Sequence, residues 1–240
     1  MDNLANLWAE GWAAALLRGA GMTVLIAVAA LIIGLALGLG LALIKWARLP
    51  VLRFIVDVYT LLVRGVPEIL VIYVFFFASD DFMQIMGAAF GYQNPFVSLL
   101  PLLAVILAVG LIASSYAVET IRGALNAVPR GLIEAGAALG LSARQRFRFC
   151  ILPTALRLVL PGINNIWQNT VKDTALVALV SIAELLYRAQ LGANATEQPF
   201  LFYSAALVLY LLITLASQSL FRLVERCLAA TSGGDWGRNA

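Results

Sequence analysis

GMTVLIAVAALIIGLALGLGLALI, residues 21–44, contains no charged side chain and is bounded by Arg18 and Lys45. It is longer than the roughly 20 apolar residues that a helix needs to cross the hydrocarbon core of a bilayer. In lipid such a segment must satisfy its own backbone polar groups, so the stretch predicts a membrane-spanning helix. Because Asp2 and Glu10 precede it where a signal peptide has a basic region, we expect the helix to be retained.

The composition of the whole chain also indicates a membrane protein. Of its 240 residues, 62% are hydrophobic and 12% are charged, whereas roughly a quarter are charged in a soluble domain. This excludes a soluble globular protein, a coiled coil and a nucleic-acid-binding protein. The chain has no histidine, which excludes His-based catalysis and imidazole metal sites. Cys150 and Cys227 lack metal-ligand spacing, so we expect no metal site.

Four further apolar stretches predict an all-α membrane protein with five spans. The second span lies within residues 54–89, the third begins at Phe96, the fourth begins near Leu158 and the fifth covers residues 199–221. The fourth span carries many polar side chains, so we expect it to be buried among other helices and not to face lipid.

The second span is charged in its first half by Asp57, Arg64 and Glu68. We expect one helix that is kinked near Pro67, with the Arg64 side chain extended toward the lipid headgroups. Arg64 and Glu68 are spaced i,i+4, which predicts a structural ion pair across Pro67, with solute contact as the alternative.

The distribution of basic residues predicts the orientation. Twelve of the sixteen lysines and arginines fall in the three connections that follow spans one, three and five. By the positive-inside rule these connections are cytoplasmic, so the N-terminus lies outside and the C-terminus inside the cell. We expect residues 1–228 to form one transmembrane domain and residues 229–240 to form a disordered cytoplasmic tail.

The large cytoplasmic connection, about residues 120–157, predicts two short helices that we call the knuckle. The first ends at Gly140, a residue suited to a left-handed C-cap. The second starts at Ser142, which forms a capping box with Gln145, and runs to Pro153.

The spacing within the knuckle resembles the "EAA" loop by which permease subunits of ATP-binding-cassette importers dock on their ATPase. The matching residues are Glu134-Ala135-Gly136, Gly140 and Ile151-Leu152-Pro153. Gly136 departs from the pattern, which has a second alanine there.

Longer stretches resemble the polar amino acid permeases, and the resemblance covers roughly residues 15–228. They are VYTLLVRGVPEILVIY, SYAVETIRGALNAVPRGLIEA and LPGINNIWQNTVKDTALVALVSIAELLYRAQ, followed by QPFLFYSAALVLY. Within that family they look closest to subunits of the histidine/lysine/arginine/ornithine importer and its opine-importing relatives. The resemblance implies import of polar amino acids, with basic ones expected, through the bacterial inner membrane. Opines, glutamine or glutamate remain alternative solutes.

The resemblance also implies a division of labour among subunits. No phosphate-binding G-x-x-x-x-G-K-[ST] motif occurs in the chain, so we expect no enzyme and no bound cofactor. ATP and Mg²⁺ are expected on a separate ATPase dimer, with a second permease subunit and a periplasmic solute-binding protein as further partners. The coupling residues implied are Glu134, Ala135, Gly136 and Gly140, with Arg144 and Arg148 as polar contacts.

The candidate pathway residues are the polar side chains in and after span four. They are Asn165, Gln168, Lys172, Asp173 and Glu184. Ionisable groups inside a span are costly and are usually paired or functional, so Lys172 and Asp173 either pair or face the pathway. We assign Asp173 to a cationic solute and Lys172 to pairing. Glu184 lies where the family places a short gate-like helix, and a solvated rim charge is the alternative.

Two further interpretations concern helix contacts. Glu119, at the end of span three, is expected to pair with Arg122. Gly34 and Gly38 form a GxxxG pattern that permits close helix approach. A secondary transporter would need an internal repeat of spans, and a membrane enzyme would need a convergent nucleophile, acid and base. The sequence contains neither.

Overall fold

The computed structural model describes residues 11–47, 50–90 and 95–230. These residues form helices joined by short connections. The helices are α1 (Trp12–Trp46), α2 (Pro50–Gly65), α3 (Glu68–Phe90), α4 (Pro95–Asn126), α5 (Arg130–Ala138), α6 (Ala143–Arg146), α7 (Leu152–Asp173), α8 (Leu185–Thr196) and α9 (Pro199–Ala230). The predicted tail therefore loses its first two residues to α9, and residues 231–240 lie outside the described residues.

Among the described residues, five helical segments are long and apolar enough to cross a membrane. They are Trp12–Trp46, Glu68–Ala89, Leu99–Asn126, Ala143–Val180 and Pro199–Cys227. The five-span, all-α prediction is confirmed.

The first span is longer than its uncharged stretch. α1 already begins at Trp12, so Arg18 lies within the helix, and Lys45 lies in its last turn instead of in the following connection. The Lys45 side chain is buried. It can be buried because its Nζ atom lies 2.6 Å from the Asp57 carboxylate and also contacts the Glu119 carboxylate.

The second span is broken and not merely kinked. α2 ends at Gly65 and α3 begins at Glu68, because Pro67 has no N–H to donate and disfavours helical backbone at Val66. The break removes the i,i+4 geometry, and Arg64 and Glu68 do not form the predicted ion pair. Arg64 does not extend to the headgroups either, since its Nη2 donates to the Ser115 carbonyl at 2.5 Å.

The fourth span begins much earlier than Leu158, and the second knuckle helix is not separate from it. α6 continues through a π-helical turn, Phe147–Ile151, directly into α7, and a 3-10 helix, Thr174–Val180, follows. Pro153 does not end the helix; it lies directly after the π-helical turn, and the helical run continues past it to Asp173.

The centre of the fold is the contact between α1 and α4. A Cβ atom added to Gly34 would lie 2.7 Å from Ala113 Cβ, and one added to Gly38 would lie 2.5 Å from Ala117 Cβ. Side chains of any size would force the helices apart, so the GxxxG prediction of close approach is confirmed. The buried residues around this contact include Ile26, Ala30, Val105, Val109 and Ile112, and Ile72 of α3 packs against them.

We expect Gly38→Val to destabilise the protein by about 1–3 kcal/mol, because the new side chain overpacks the interface with Ala117. Gly40→Val is the matched control, since it changes helix propensity by the same amount but has open space around an added Cβ. Thermal unfolding in detergent measures both. Equal unfolding midpoints for the two variants would contradict the packing.

Candidate functional site

The knuckle is built by local capping signals. α5 ends before Gly140, which has a left-handed φ of 76°. Ser142 caps α6: its backbone N–H donates to Gln145 Oε1 at 2.8 Å, and Gln145 N donates back to Ser142 Oγ at 3.4 Å. The predicted C-cap and capping box are therefore confirmed. They hold α5 at a fixed angle to the long helix that starts at α6.

Gly136 packs inward and does not belong to an outer docking face. A Cβ atom added to it would lie 3.2 Å from Cys150 Sγ and 3.3 Å from Arg146 Cγ. The departure from the EAA pattern therefore has a local reason, because the glycine lets α5 approach the π-helical turn.

The outer surface of the knuckle is formed by exposed side chains. Glu134, Ala135, Arg144 and Arg148 are all exposed. Leu139 is 81% exposed, and sequence reasoning missed it. The sequence did contain an indication of this exposure. Leu139 stands directly before the glycine that ends the helix, and a large apolar side chain at that position projects into solvent. A leucine so exposed at the tip of a turn is available for contact with another molecule.

A cluster of polar side chains lies where the second span breaks. The carboxyl groups of Glu68 and Asp173 are within hydrogen-bonding distance of each other. Tyr116 OH donates to Glu68 Oε1 at 3.4 Å. The Arg64 guanidinium lies 4.8 Å from the centre of the Tyr116 ring, a cation–π contact. The cluster joins α2, α3, α4 and α7.

An open cavity of about 480 Å³ adjoins this cluster. Its lining includes Arg64, Pro67, Glu68 and Leu176. The volume falls within the roughly 300–1,000 Å³ typical of small-molecule sites. Arg64, Pro67 and Glu68, which we interpreted as structural, therefore share a cavity with Asp173 close by.

The other polar residues of α7 divide into two groups. Asn165 and Lys172 are exposed, and Lys172 forms none of the ion pairs seen among the described residues. The pairing expected for Lys172 is therefore not observed. Gln168 is partly buried, and its Nε2 donates to Asn164 Oδ1 at 3.4 Å and to Ser217 Oγ at 3.5 Å. Through the bond to Ser217, Gln168 links α7 to α9 by an interhelical hydrogen bond.

Glu184 is fully buried, so the interpretation as a solvated rim charge is wrong. It caps α8 by accepting from Tyr187 N at 2.7 Å, and its other oxygen accepts from Thr23 Oγ1 at 3.1 Å and from Tyr210 OH at 2.8 Å. These bonds tie the short helix before the last span to α1 and α9. Because protein donors occupy both oxygens, we interpret Glu184 as a structural clamp.

Glu119 belongs to a second charged network. It pairs with Arg122 at 2.7 Å, as predicted, and it also accepts from Lys45. Lys45 bridges Glu119 to Asp57, and Arg53 lies 3.6 Å from the other Asp57 oxygen. The network connects the ends of α1 and α4 to α2.

Known proteins that resemble this chain are membrane components of transport systems. A family profile described as "binding-protein-dependent transport system inner membrane component" matches residues 30–229. The octopine transport system permease protein OccQ of Rhizobium meliloti is 42% identical, over 90% of this chain and 91% of its own length. The arginine ABC transporter permease protein ArtQ of Escherichia coli is 37% identical, over 88% of this chain and 93% of its own. The histidine/lysine/arginine/ornithine permease HisQ of Salmonella typhimurium is 33% identical, over 90% and 94%.

Solved structures show the same fold. A chain of an amino acid ABC transporter crystallised with histidines superimposes with a TM-score of 0.75 at 25% identity, covering 92% of this chain and 97% of that one. A chain of the inward-facing MetNI methionine ABC transporter superimposes with a TM-score of 0.68 at 19% identity, covering 89% and 96%.

We expect Glu184→Ala to lower the free energy of unfolding by about 2–4 kcal/mol, because it removes a helix cap and leaves buried donors unsatisfied. Burial raises the pKa of this carboxyl, so the neutral amide of Glu184→Gln should be tolerated better. Thermal unfolding in detergent measures both, with the exposed Asp81→Ala as the control. An unchanged midpoint for Glu184→Ala would exclude the clamp.

Proposed function

This chain belongs to the family of binding-protein-dependent transport system inner membrane components, and from that premise we propose that it imports basic amino acids or opines derived from them. A multi-pass permease of an ATP-binding-cassette importer fits the five spans. The observation that carries the choice of solute is the contact between the carboxyl groups of Glu68 and Asp173.

Two carboxyl groups in contact are unfavourable unless they share a proton or a cation neutralises them. Tyr116 supplies a neutral donor to Glu68, and no lysine or arginine forms an ion pair with either carboxylate in the described part of the chain. A guanidinium or ammonium group of the solute would supply the missing charge. A guanidinium has several N–H donors in one plane and suits paired carboxylates especially well.

An amino acid solute also carries an α-carboxylate, and the break in the second span offers groups that can bind this anion. Arg64 lies beside the cavity, and the backbone N–H groups in the first turn of α3 begin immediately after Pro67. Helix N-termini of interrupted spans bind anionic groups of solutes in other transporters. We assign the solute carboxylate to Arg64 and the start of α3, and its cationic group to Glu68 and Asp173.

The names of the relatives support this choice. OccQ is an octopine permease, ArtQ an arginine permease and HisQ a permease for histidine, lysine, arginine and ornithine. Arginine, lysine and ornithine carry a cationic side chain, and histidine gains one on protonation. Glutamate would place a third carboxylate near Glu68 and Asp173, so we do not favour an acidic solute.

We expect Asp173→Asn to reduce arginine uptake by about ten-fold or more, since a charge-assisted contact to the solute becomes a neutral one. Uptake of labelled arginine into proteoliposomes, with the assembled transporter and its binding protein, measures the effect. Asp81→Asn removes an exposed carboxylate away from the cavity and should transport normally. Equal uptake by Asp173→Asn and the wild type, or a wild-type preference for glutamate over arginine, would contradict the proposal.

The proposal includes three protein partners. The chain lacks a phosphate-binding loop, so ATP is bound and hydrolysed by a separate ATPase dimer docked on the knuckle, while a periplasmic binding protein delivers the solute. A second permease subunit completes the pathway. It is supported by α2, which exposes Val51, Phe54 and Leu61 although its 16 residues are too few for it to count among the spans. The predicted orientation, with the knuckle in the cytoplasm, is part of this proposal.

We expect Leu139→Asn to uncouple ATP hydrolysis from transport. The side chain is 81% exposed, so the substitution should leave folding unchanged while it removes the apolar contact to the ATPase. Solute-stimulated ATPase activity should fall about ten-fold, the loss of roughly 1.4 kcal/mol of coupling. Gly140→Leu should act similarly, because its left-handed backbone strains any residue with a side chain.

Leu139→Met is the matched control, since it keeps an apolar side chain of similar size at the tip. We expect it to retain stimulated hydrolysis and uptake. Thermal unfolding of all three variants separates uncoupling from misfolding. Full stimulation in Leu139→Asn would show that the tip of the knuckle does not contact the ATPase.

A further inference from the structure

An apolar groove of about 390 Å³ lies between α1, α4 and the long helix that starts at α6. Its walls are formed by aliphatic side chains and one aromatic ring. They include Leu39, Leu43, Leu125, Phe147, Leu156 and Ile163. None of the side chains that line it is polar, so a polar solute gains nothing there. A hydrocarbon chain is the matching ligand.

A second pocket, of about 330 Å³, lies at the end of α1. Three of its five lining residues are cations, namely Lys45, Arg53 and Arg122, and the other two are Trp46 and Asn126. None of the five is acidic. The ion-pair network behind the pocket contains two carboxylates, Asp57 and Glu119, for these three cations. Within the described part of the chain, this network therefore keeps one positive charge without a paired carboxylate.

Trp46 connects the pocket with the groove. It lines the pocket, and its ring centroid lies 6.0 Å from that of Phe147, which lines the groove. Tryptophan is enriched where hydrocarbon meets the headgroup region of a membrane. A molecule with a hydrocarbon chain and an anionic head could therefore occupy both spaces at once.

We propose that the groove and the pocket together bind one anionic phospholipid. An acyl chain lies in the groove between α1, α4 and α7, the glycerol region lies beside Trp46, and the phosphate accepts from Arg53 and Arg122. Basic pockets between the ends of transmembrane helices bind anionic headgroups in this way. The headgroup of a zwitterionic lipid carries an ammonium group, which the uncompensated positive charge of the pocket would repel. Such a lipid would therefore bind less tightly than an anionic one. This site is separate from the solute cavity and does not rest on the proposed solute.

Arg53 is the residue best placed to discriminate between lipids. Its side chain is 58% exposed, and its contact with Asp57 is long, at 3.6 Å. An exposed pair of this kind contributes little to stability, so Arg53 can donate to a phosphate without a large loss. Lys45 and Arg122 are held more closely by Asp57 and Glu119.

Quenching of Trp46 fluorescence tests the site in the assembled transporter in vesicles. Phosphatidylglycerol or phosphatidylcholine, each brominated on its acyl chains, is added at equal mole fraction. The difference between the wild type and Trp46→Phe isolates the signal of Trp46 from that of the other tryptophans. We expect brominated phosphatidylglycerol to quench Trp46 about two-fold more than brominated phosphatidylcholine, because the basic pocket attracts an anionic headgroup.

Two arginine variants assign the headgroup contact. Arg53→Gln should bring the ratio of quenching by phosphatidylglycerol to quenching by phosphatidylcholine close to one. Arg157→Gln removes an exposed arginine of α7 outside the pocket and should leave this ratio unchanged. Equal quenching by the two lipids would overturn the proposal, as would a ratio unaffected by Arg53→Gln. Absence of quenching by either lipid would show that a protein partner covers the groove, which would also overturn it.

Discussion

The close approach of α1 and α4 is the constraint on which the rest of the fold depends. It requires residues without side chains on α1, at Gly34 and Gly38, and alanines opposite them on α4, at Ala113 and Ala117. In lipid no hydrophobic effect draws helices together, so short interatomic distances must supply the attraction through van der Waals packing. Once this pair is fixed, α3 packs on one side and the long helix of span four on the other.

The break between α2 and α3 follows from one residue, but its consequence depends on the packed pair. Pro67 ends the helix locally, and the freed polar groups are tolerated only where they face protein or a cavity. Arg64 and Glu68, on either side of the break, are both held by α4 through Ser115 and Tyr116. A sequence feature that would be a defect in a lipid-facing helix is thus accommodated beside a cavity lined by charged side chains.

The sequence is sufficient for features that depend on neighbouring residues. The number of spans, the cap at Gly140 and the capping box at Ser142 were predicted because apolar length and capping are local properties. Helix bounds were predicted less well, since charged residues such as Lys45 enter helices when distant partners neutralise them. The contact between Glu68 and Asp173 could not be predicted, because it joins residues far apart in sequence through tertiary packing.

Three acidic sites, with four carboxyl groups, illustrate how partners decide the role of a carboxylate inside a membrane protein. Glu119 faces two cations, Lys45 and Arg122, so its charge is fully compensated and its role is structural. Glu184 has no cation within ion-pair distance in the described residues, but backbone and hydroxyl donors satisfy both its oxygens. Among the described residues, Glu68 and Asp173 form no ion pair; they lie against each other, and the Tyr116 hydroxyl donates to Glu68. Of these acidic sites, theirs is the one whose electrostatics would improve on the arrival of a cation, and this asymmetry is the physical basis of the proposed solute site.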